Sequence, residues 1–199
     1  STDATVHLFR HDPTEKLAIE IDIRPRGNLT LRCAEFPYPL RNCVGRATVA
    51  QGGVVVHDLH SHHGKFRLSA SGYLRNLASK TPDINLQIAA TQMPIDATLL
   101  AVMPKELQTF LGDLKLTGVL NLIQAQILQA ENKPLHYDIR MGLAGGALNY
   151  SLFPYALEEV TGQIRVMPEM IRIESLRGRH GKQSVTATGH YAPKKMGQD

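Results

Sequence analysis

The run His57-Asp58-Leu59-His60-Ser61-His62-His63 holds the densest set of reactive side chains in the chain. Imidazoles and a carboxylate at this spacing are ligand types that zinc and copper take. A second feature occurs twice, as His63-Gly64-Lys65 and His180-Gly181-Lys182. It could contact a phosphate or headgroup. The plainer reading is a turn, with glycine for the backbone and lysine for an exposed edge. Arg177, Arg179 and Lys182 form a local basic patch able to meet anionic headgroups. The chain has no nucleophile elbow, P-loop, dinucleotide fingerprint or Cys-X-X-Cys pair. Gly142-Leu143-Ala144-Gly145-Gly146 resembles a phosphate loop but lacks the lysine and helix that should follow. The expectation is a protein without catalytic residues and without a cofactor.

An internal duplication weighs against the metal reading. Residues 36–74 and 153–191 align without a gap at a spacing of 117, with twelve identities that include Phe36/Phe153, Gly45/Gly162, Gly64/Gly181 and Gly72/Gly189. A repeat this long is a structural unit. In its second copy His57, Asp58, His60 and His62 become Glu174, Ser175, Arg177 and Arg179, and only His63 persists, as His180. An essential metal site would keep its ligands, so none is expected. The match also extends backwards with a slip, pairing Asp22-Ile23-Arg24 with Asp138-Ile139-Arg140.

The elements that carry these residues are strands. Leu17, Ile19, Ile21 and Ile23 alternate with polar residues, the period of a sheet with one buried face. Strands are predicted over 4–9, 16–24, 29–35, 44–50, 54–60, 65–74, 83–92 and 114–128. After the turn Glu131-Asn132-Lys133-Pro134, strand 135–142 leads through Gly145-Gly146 to strand 146–152, before the second copy of the meander. Val119 to Ile123 is apolar on both faces, which predicts cover on both sides. Phe36-Pro37-Tyr38-Pro39 cannot be a central strand and reads as an extended segment whose rings plug a core edge. Asp96 is a plausible N-cap for a helix over 97–103, and Pro104 begins a second over 105–111.

The fold class is therefore mainly β: a long antiparallel meander sheet, as a curled groove or open sandwich, built from two related repeat units with a short two-helix insert. One β-rich body over 1–199 is expected, with repeat unit one near 16–74, the insert near 93–113 and repeat unit two near 135–191. Hydrophobic content of 43% and charge of 20% are ordinary for a folded protein. No apolar run is long enough for a transmembrane helix, and no signal peptide is evident. Residues 192–199 read as a frayed boundary, consistent with a fragment of a larger protein. A net charge of +4 and a pI near 9.1 are weakly basic. Without tryptophan, and with only scattered Tyr and Phe, nucleic acid is not an expected partner. Cys33 and Cys43 align with Tyr150 and Val160. Apolar filler is the plainer reading, and a disulfide stays open.

The unit runs from Phe-Pro-Tyr through Val54-x-Val56-x-Asp58-Leu59 and a His-Gly turn to a strand closing in Ser69-Ala70-Ser71-Gly72. It resembles the repeats of AsmA-like proteins, the envelope group that includes TamB. Met93-Pro94-Ile95-Asp96, followed by Leu116-Thr117-Gly118, is similar to the segment between such repeats. The resemblance implies a periplasmic β-groove protein, anchored to the inner membrane through regions outside this sequence. It would handle phospholipid or assist outer-membrane biogenesis. Its partners would be phospholipid or other acyl-chain lipid, adjacent repeats of the same chain, and envelope proteins. Groove-lining residues would be Phe66, Leu68, Ala70, Val185 and Ala187, with Arg177, Arg179 and Lys182 as headgroup contacts. The alternative is a closed structural β domain mediating protein contacts in the envelope or outside the cell.

Overall fold

A computed structural model describes residues 2–9, 18–25, 30–31, 38–50, 53–103, 105–150 and 155–192. Cys33, Phe36, Pro37, Pro104 and the tail 193–199, on which several of the expectations fall, lie outside them. The strands are β1 (Thr2–Phe9), β2 (Ala18–Pro25), β3 (Thr30–Leu31), β4 (Leu40–Arg41), β5 (Val44–Ala50), β6 (Gly53–His63), β7 (Phe66–Arg75), β8 (Asp83–Thr91) and β9 (Met93–Pro94). Two helices follow, α1 (Ala97–Val102) and α2 (Lys105–Leu114). The chain then returns to strand in β10 (Thr117–Gln129), β11 (His136–Leu148), β12 (Leu157–Met167), β13 (Met170–His180) and β14 (Gln183–Tyr191). The protein is mainly β, a large antiparallel sheet not closed into a barrel. Its strand order is β1-β2-β5-β6-β7-β8-β10-β11-β12-β13-β14, with β9 paired to β10 and a separate β3–β4 ribbon. Sequence neighbours are mostly sheet neighbours, as in a meander.

Contacts divide the chain into two compact units. Unit 1 is Ser1–Thr91 with Gln124–Tyr137, and unit 2 is Gln92–Ile123 with Asp138–Asp199. The division falls inside β10 and β11 rather than at a linker, which is why no composition shift marks it. Both helices belong to unit 2. Asp96 caps α1 as its position predicts, its Oδ1 accepting from the Leu99 amide at 2.8 Å. That bond satisfies one of the orphan donors of the first turn.

The register makes the duplication structural. β5 pairs with β6 as β12 pairs with β13, and at the same place in each pair the second strand carries one extra residue. Arg46 faces Asp58 and Ala47 faces Val56, so His57 is the extra residue. Gln163 faces Ser175 and Ile164 faces Ile173, so Glu174 takes the same place. A bulge bends its strand and raises the local twist. Gly45 and Gly162 explain themselves here. A Cβ on Gly45 would overlap the Asp58 carbonyl oxygen and lie 2.9 Å from the Leu59 Cα. A Cβ on Gly162 would overlap the Ser175 carbonyl oxygen and lie 3.0 Å from the Leu176 Cα. Each copy keeps glycine because the bulged strand pushes its backbone into that space.

Three expectations change. The preceding strands align differently, since Ile19 faces Val49 whereas Ile139 faces its twin Val166. The structural match of Ile19 is thus Ile139, and the Asp22-Ile23-Arg24 pairing is a coincidence of composition. His136–Leu148 do not form two strands around a glycine turn. β11 is continuous, and Gly145, at φ +62°, sits in a register shift between Leu143 and Gly146. Gly146 and Gly118 instead let two backbones approach closely, a Cβ on Gly118 falling 2.6 Å from the Gly146 Cα. Finally, the apolar run of β10 is not covered throughout: Leu120 is buried but Leu122 is exposed.

Candidate functional site

In antiparallel pairs, directly opposed residues project from the same face. Following the partners from β5 to β8 builds one apolar row across unit 1. Val49, Val54, Leu74 and Ile84 stand in line, then Ala47, Val56, Gly72 and Leu86. Beyond the bulge the row continues through Leu59, Ala70 and Ile88, then Ser61, Leu68 and Ala90. The other face is polar, carrying Arg67, Ser69, Ser71 and Tyr73, with the Arg75 guanidinium 4.2 Å from the Tyr73 ring centroid.

One end of the row is plugged. Tyr38 packs edge-on against Phe66 with ring centroids 6.0 Å apart. Both rings are buried, as are Cys43, Ser61 and Leu68. The Ser61 hydroxyl donates to the Arg41 carbonyl at 2.7 Å, and the Cys43 thiol to the Leu40 carbonyl at 3.1 Å, so both buried polar groups are satisfied. Burial pushes the Cys43 thiol pKa up, outweighing the lowering by hydrogen bonds with Leu31 and Ser61. Cys43 is a free thiol. Tyr38, the described residue of the Phe-Pro-Tyr segment, is thus a plug.

Away from the plug the row is open. Val54, Val56, Ala70, Leu74, Ile84, Leu86 and Ile88 are only half-buried. Among the described residues, unit 1 has no helix and no second sheet beyond the short β3–β4 ribbon. The corresponding row of unit 2 differs. Ile171 is 3% exposed, Ile164 4% and Val166 5%, where their twins Val54, Ala47 and Val49 are half-buried. Unit 2 also contains the helical pair, whose Leu99 and Leu111 are buried. A sheet face reaches such burial only under a second layer. The repeats therefore differ at these three positions, while Ile173 and Leu176 are half-buried like their twins Val56 and Leu59, and Ala187 and Gly189 of β14 are exposed.

The residues singled out by sequence separate accordingly. Phe66 and Leu68 are wall and plug, and Ala70 lies on the half-open row. Val185 faces Gly178 and Ala187 faces Leu176, at the outer strand of unit 2, with Val185 half-buried and Ala187 exposed. Arg177 and Arg179 face Thr186 and Ser184, which puts them on the opposite face of the sheet from Val185 and Ala187. They are not brought together with an apolar row as headgroup contacts for it. Arg179 lies 3.5 Å from Glu159, and Lys182 is exposed in the β13–β14 turn. Nearby on the polar face, Arg165 holds Asp138 through two bonds of 2.8 and 2.6 Å, which raises the guanidinium pKa further.

The histidine run is dispersed by the bulge and by strand alternation. His57 is in the bulge, with Nε2 2.7 Å from the Thr48 hydroxyl. His60 and His62 face Ser69 and Arg67, while His63 lies on the other row opposite Phe66. Among the described residues no group of three or more His, Cys, Asp or Glu converges as a metal site would. The His-Gly pairs are turns, with Gly64 at φ +57° and Gly181 at φ +58°. Sequence reasoning missed the Val56, Leu86 and Ile88 portion of the row. Its signal is period-two alternation in β8, but only the register shows that β6, β7 and β8 present it together.

Fold and site define an open antiparallel β protein with a duplicated meander and one half-open apolar face. No protein-family model, curated protein or solved structure matches the chain.

Proposed function

We propose that the protein handles acyl-chain lipid without catalysis, and that the apolar row of unit 1 is where the chain of the lipid lies. The observation that carries this reading is the half-open row of unit 1, whose aliphatic side chains stand beside a plugged end and whose members Ala47, Val49 and Val54 are less covered than their twins Ile164, Val166 and Ile171. An open strip of alternating aliphatic residues without a converging polar constellation suits a flexible hydrocarbon better than a specific polar ligand. The resemblance to AsmA-like repeats supports phospholipid as the lipid and a periplasmic, membrane-anchored setting, with outer-membrane biogenesis as the wider role. None of the described helices is long and apolar enough to cross a membrane, so an anchor of that kind would be supplied by other residues. The alternative of a closed domain mediating protein contacts draws its support from unit 2, where Ile164, Val166 and Ile171 are buried.

The test is uptake of a fluorescent phospholipid from vesicles, followed by native mass spectrometry of the complex. Val56→Asp and Leu86→Asp place a charge on the row and should abolish uptake while circular dichroism stays unchanged. Gln87→Asp, on the exposed opposite face of β8, should leave it intact. Equal uptake by all three proteins, or none by the parent, would refute the lipid reading and favour the closed domain.

A further inference from the structure

The polar face of unit 2 carries a row of like charges that its twin lacks. Arg140 of β11 stands opposite Arg165 of β12, Arg165 opposite Arg172 of β13, and Arg172 opposite His190 of β14. Like charges set directly across a ladder are destabilising. In unit 1 the same row reads Glu20, Thr48, Val55 and Tyr73. The neighbouring row there sets Arg46 against Asp58, the opposite charges that a ladder favours. The meander therefore folds without cations at these positions, and packing does not call for them. β11, β12 and β13 each have a strand on both sides, so the three arginines lie within the sheet and not along an edge.

Compensation reaches only the middle of the row. Asp138 holds Arg165 through Nε and Nη2, and Glu174 on the bulge adds to the negative field at the same guanidinium. Arg140 and Arg172 are exposed, and among the described residues neither has an ion pair. Adjacent strands lie about 4.8 Å apart, which sets Arg140 and Arg172 about 10 Å from each other across Arg165. The next row is Gly142, Gln163 and Ser175, and the one beyond it Thr161, Arg177 and Thr186. Glycine and serine raise no wall beside the arginines, and Arg177 shares their face. The cations spread over a plane instead of converging on a point.

We propose that this face of unit 2 docks on an anionic phospholipid surface, with Arg140 and Arg172 each taking a headgroup phosphate. A guanidinium offers phosphate oxygens paired donors. A planar spread of cations matches a planar array of phosphates, whereas a small anion would need a pocket. Nucleic acid suits the face less well, because no Tyr or Phe stands in these rows to stack on a base. The acyl row lies in the other unit, so this proposal does not rest on the uptake reading.

Cosedimentation of the protein with vesicles of phosphatidylglycerol and phosphatidylcholine in equal parts decides the matter. Binding is expected at low ionic strength, falling as salt is added and absent on pure phosphatidylcholine. Arg140→Gln and Arg172→Gln should each weaken it about fivefold, the effect of one charge near such a surface, and together about thirtyfold. Lys80→Gln removes the same charge from an exposed loop of unit 1 and should change binding far less. Arg172→Gln should also melt at or above the Tm of the parent, because it relieves the like-charge opposition. No binding, an equal loss with Lys80→Gln, or a Tm lowered by Arg172→Gln would overturn the proposal. Tighter binding to duplex DNA than to the vesicles, lost in the same arginine variants, would assign the row to nucleic acid and overturn it as well.

Discussion

Gly45→Ala tests the link between the bulge and the repeat most directly. In unit 1 the residue sits at φ +152°, beneath the carbonyl of Asp58. An alanine there holds a sparsely populated backbone, at about 1–3 kcal/mol, and its Cβ must also move off the Asp58 carbonyl. Moving pushes β5 from β6 around the bulge and loses one or two ladder hydrogen bonds, each worth about 1 kcal/mol net. The combined cost is about 2–5 kcal/mol, or roughly 10 °C in Tm for a chain of 199 residues. Gly162→Ala meets the same kind of obstruction from Ser175 but at an ordinary φ, so the strain contribution falls away and about 1–2 kcal/mol remains. Gly189→Ala meets no described atom within 4 Å and should lie within about 0.5 kcal/mol of the parent. Thermal melts followed by circular dichroism give the order. Hydrogen exchange should localise the Gly45→Ala effect to β5 and β6. A neutral Gly45→Ala, or a Gly189→Ala as costly as Gly45→Ala, would refute the argument that close backbone approach at the bulge keeps the glycine.

Two further outcomes follow from the core. Asp96→Ala removes the α1 cap and should cost about 1 kcal/mol, visible as faster amide exchange at the start of α1. Cys43, buried with its thiol pKa raised by desolvation, should resist thiol reagents in the native protein, measured in a Cys33→Ser background. Because the unfolded thiol ionises first, the protein binds this proton more tightly when folded, and the thiol's contribution to stability is full below the ordinary thiol value of 9.0. It is then lost as pH rises through the raised folded value. Cys43→Val, the residue its twin Val160 already uses, should remove that alkaline slope in urea titrations; an unchanged slope would show that another group sets it.

Much of the fold was legible because strands and turns write themselves locally. Alternation placed β5 through β8, Gly64 and Gly181 marked their turns, and Asp96 announced α1. The twelve identities also disclose the duplication. The faces were not legible, because a single extra residue reverses them. Counting in twos from Ile171 and Ile173 would put Arg177 and Arg179 on the apolar row. The bulges at Glu174 and His57 shift the phase, so the row resumes at Leu176 and Leu59 and the arginines turn to the opposite face. Gly145 misled in the complementary way, since a left-handed glycine serves a bulge within one strand as readily as a turn between two. Composition likewise could not distinguish core from open face, because both repeats carry the same kinds of side chain. Sequence by itself determined the strands, the turns and the repeat, all of which depend on neighbouring residues. Tertiary structure alone decided register, the face each residue occupies and how far each position of the row is covered, because those depend on strands and layers far away in the chain.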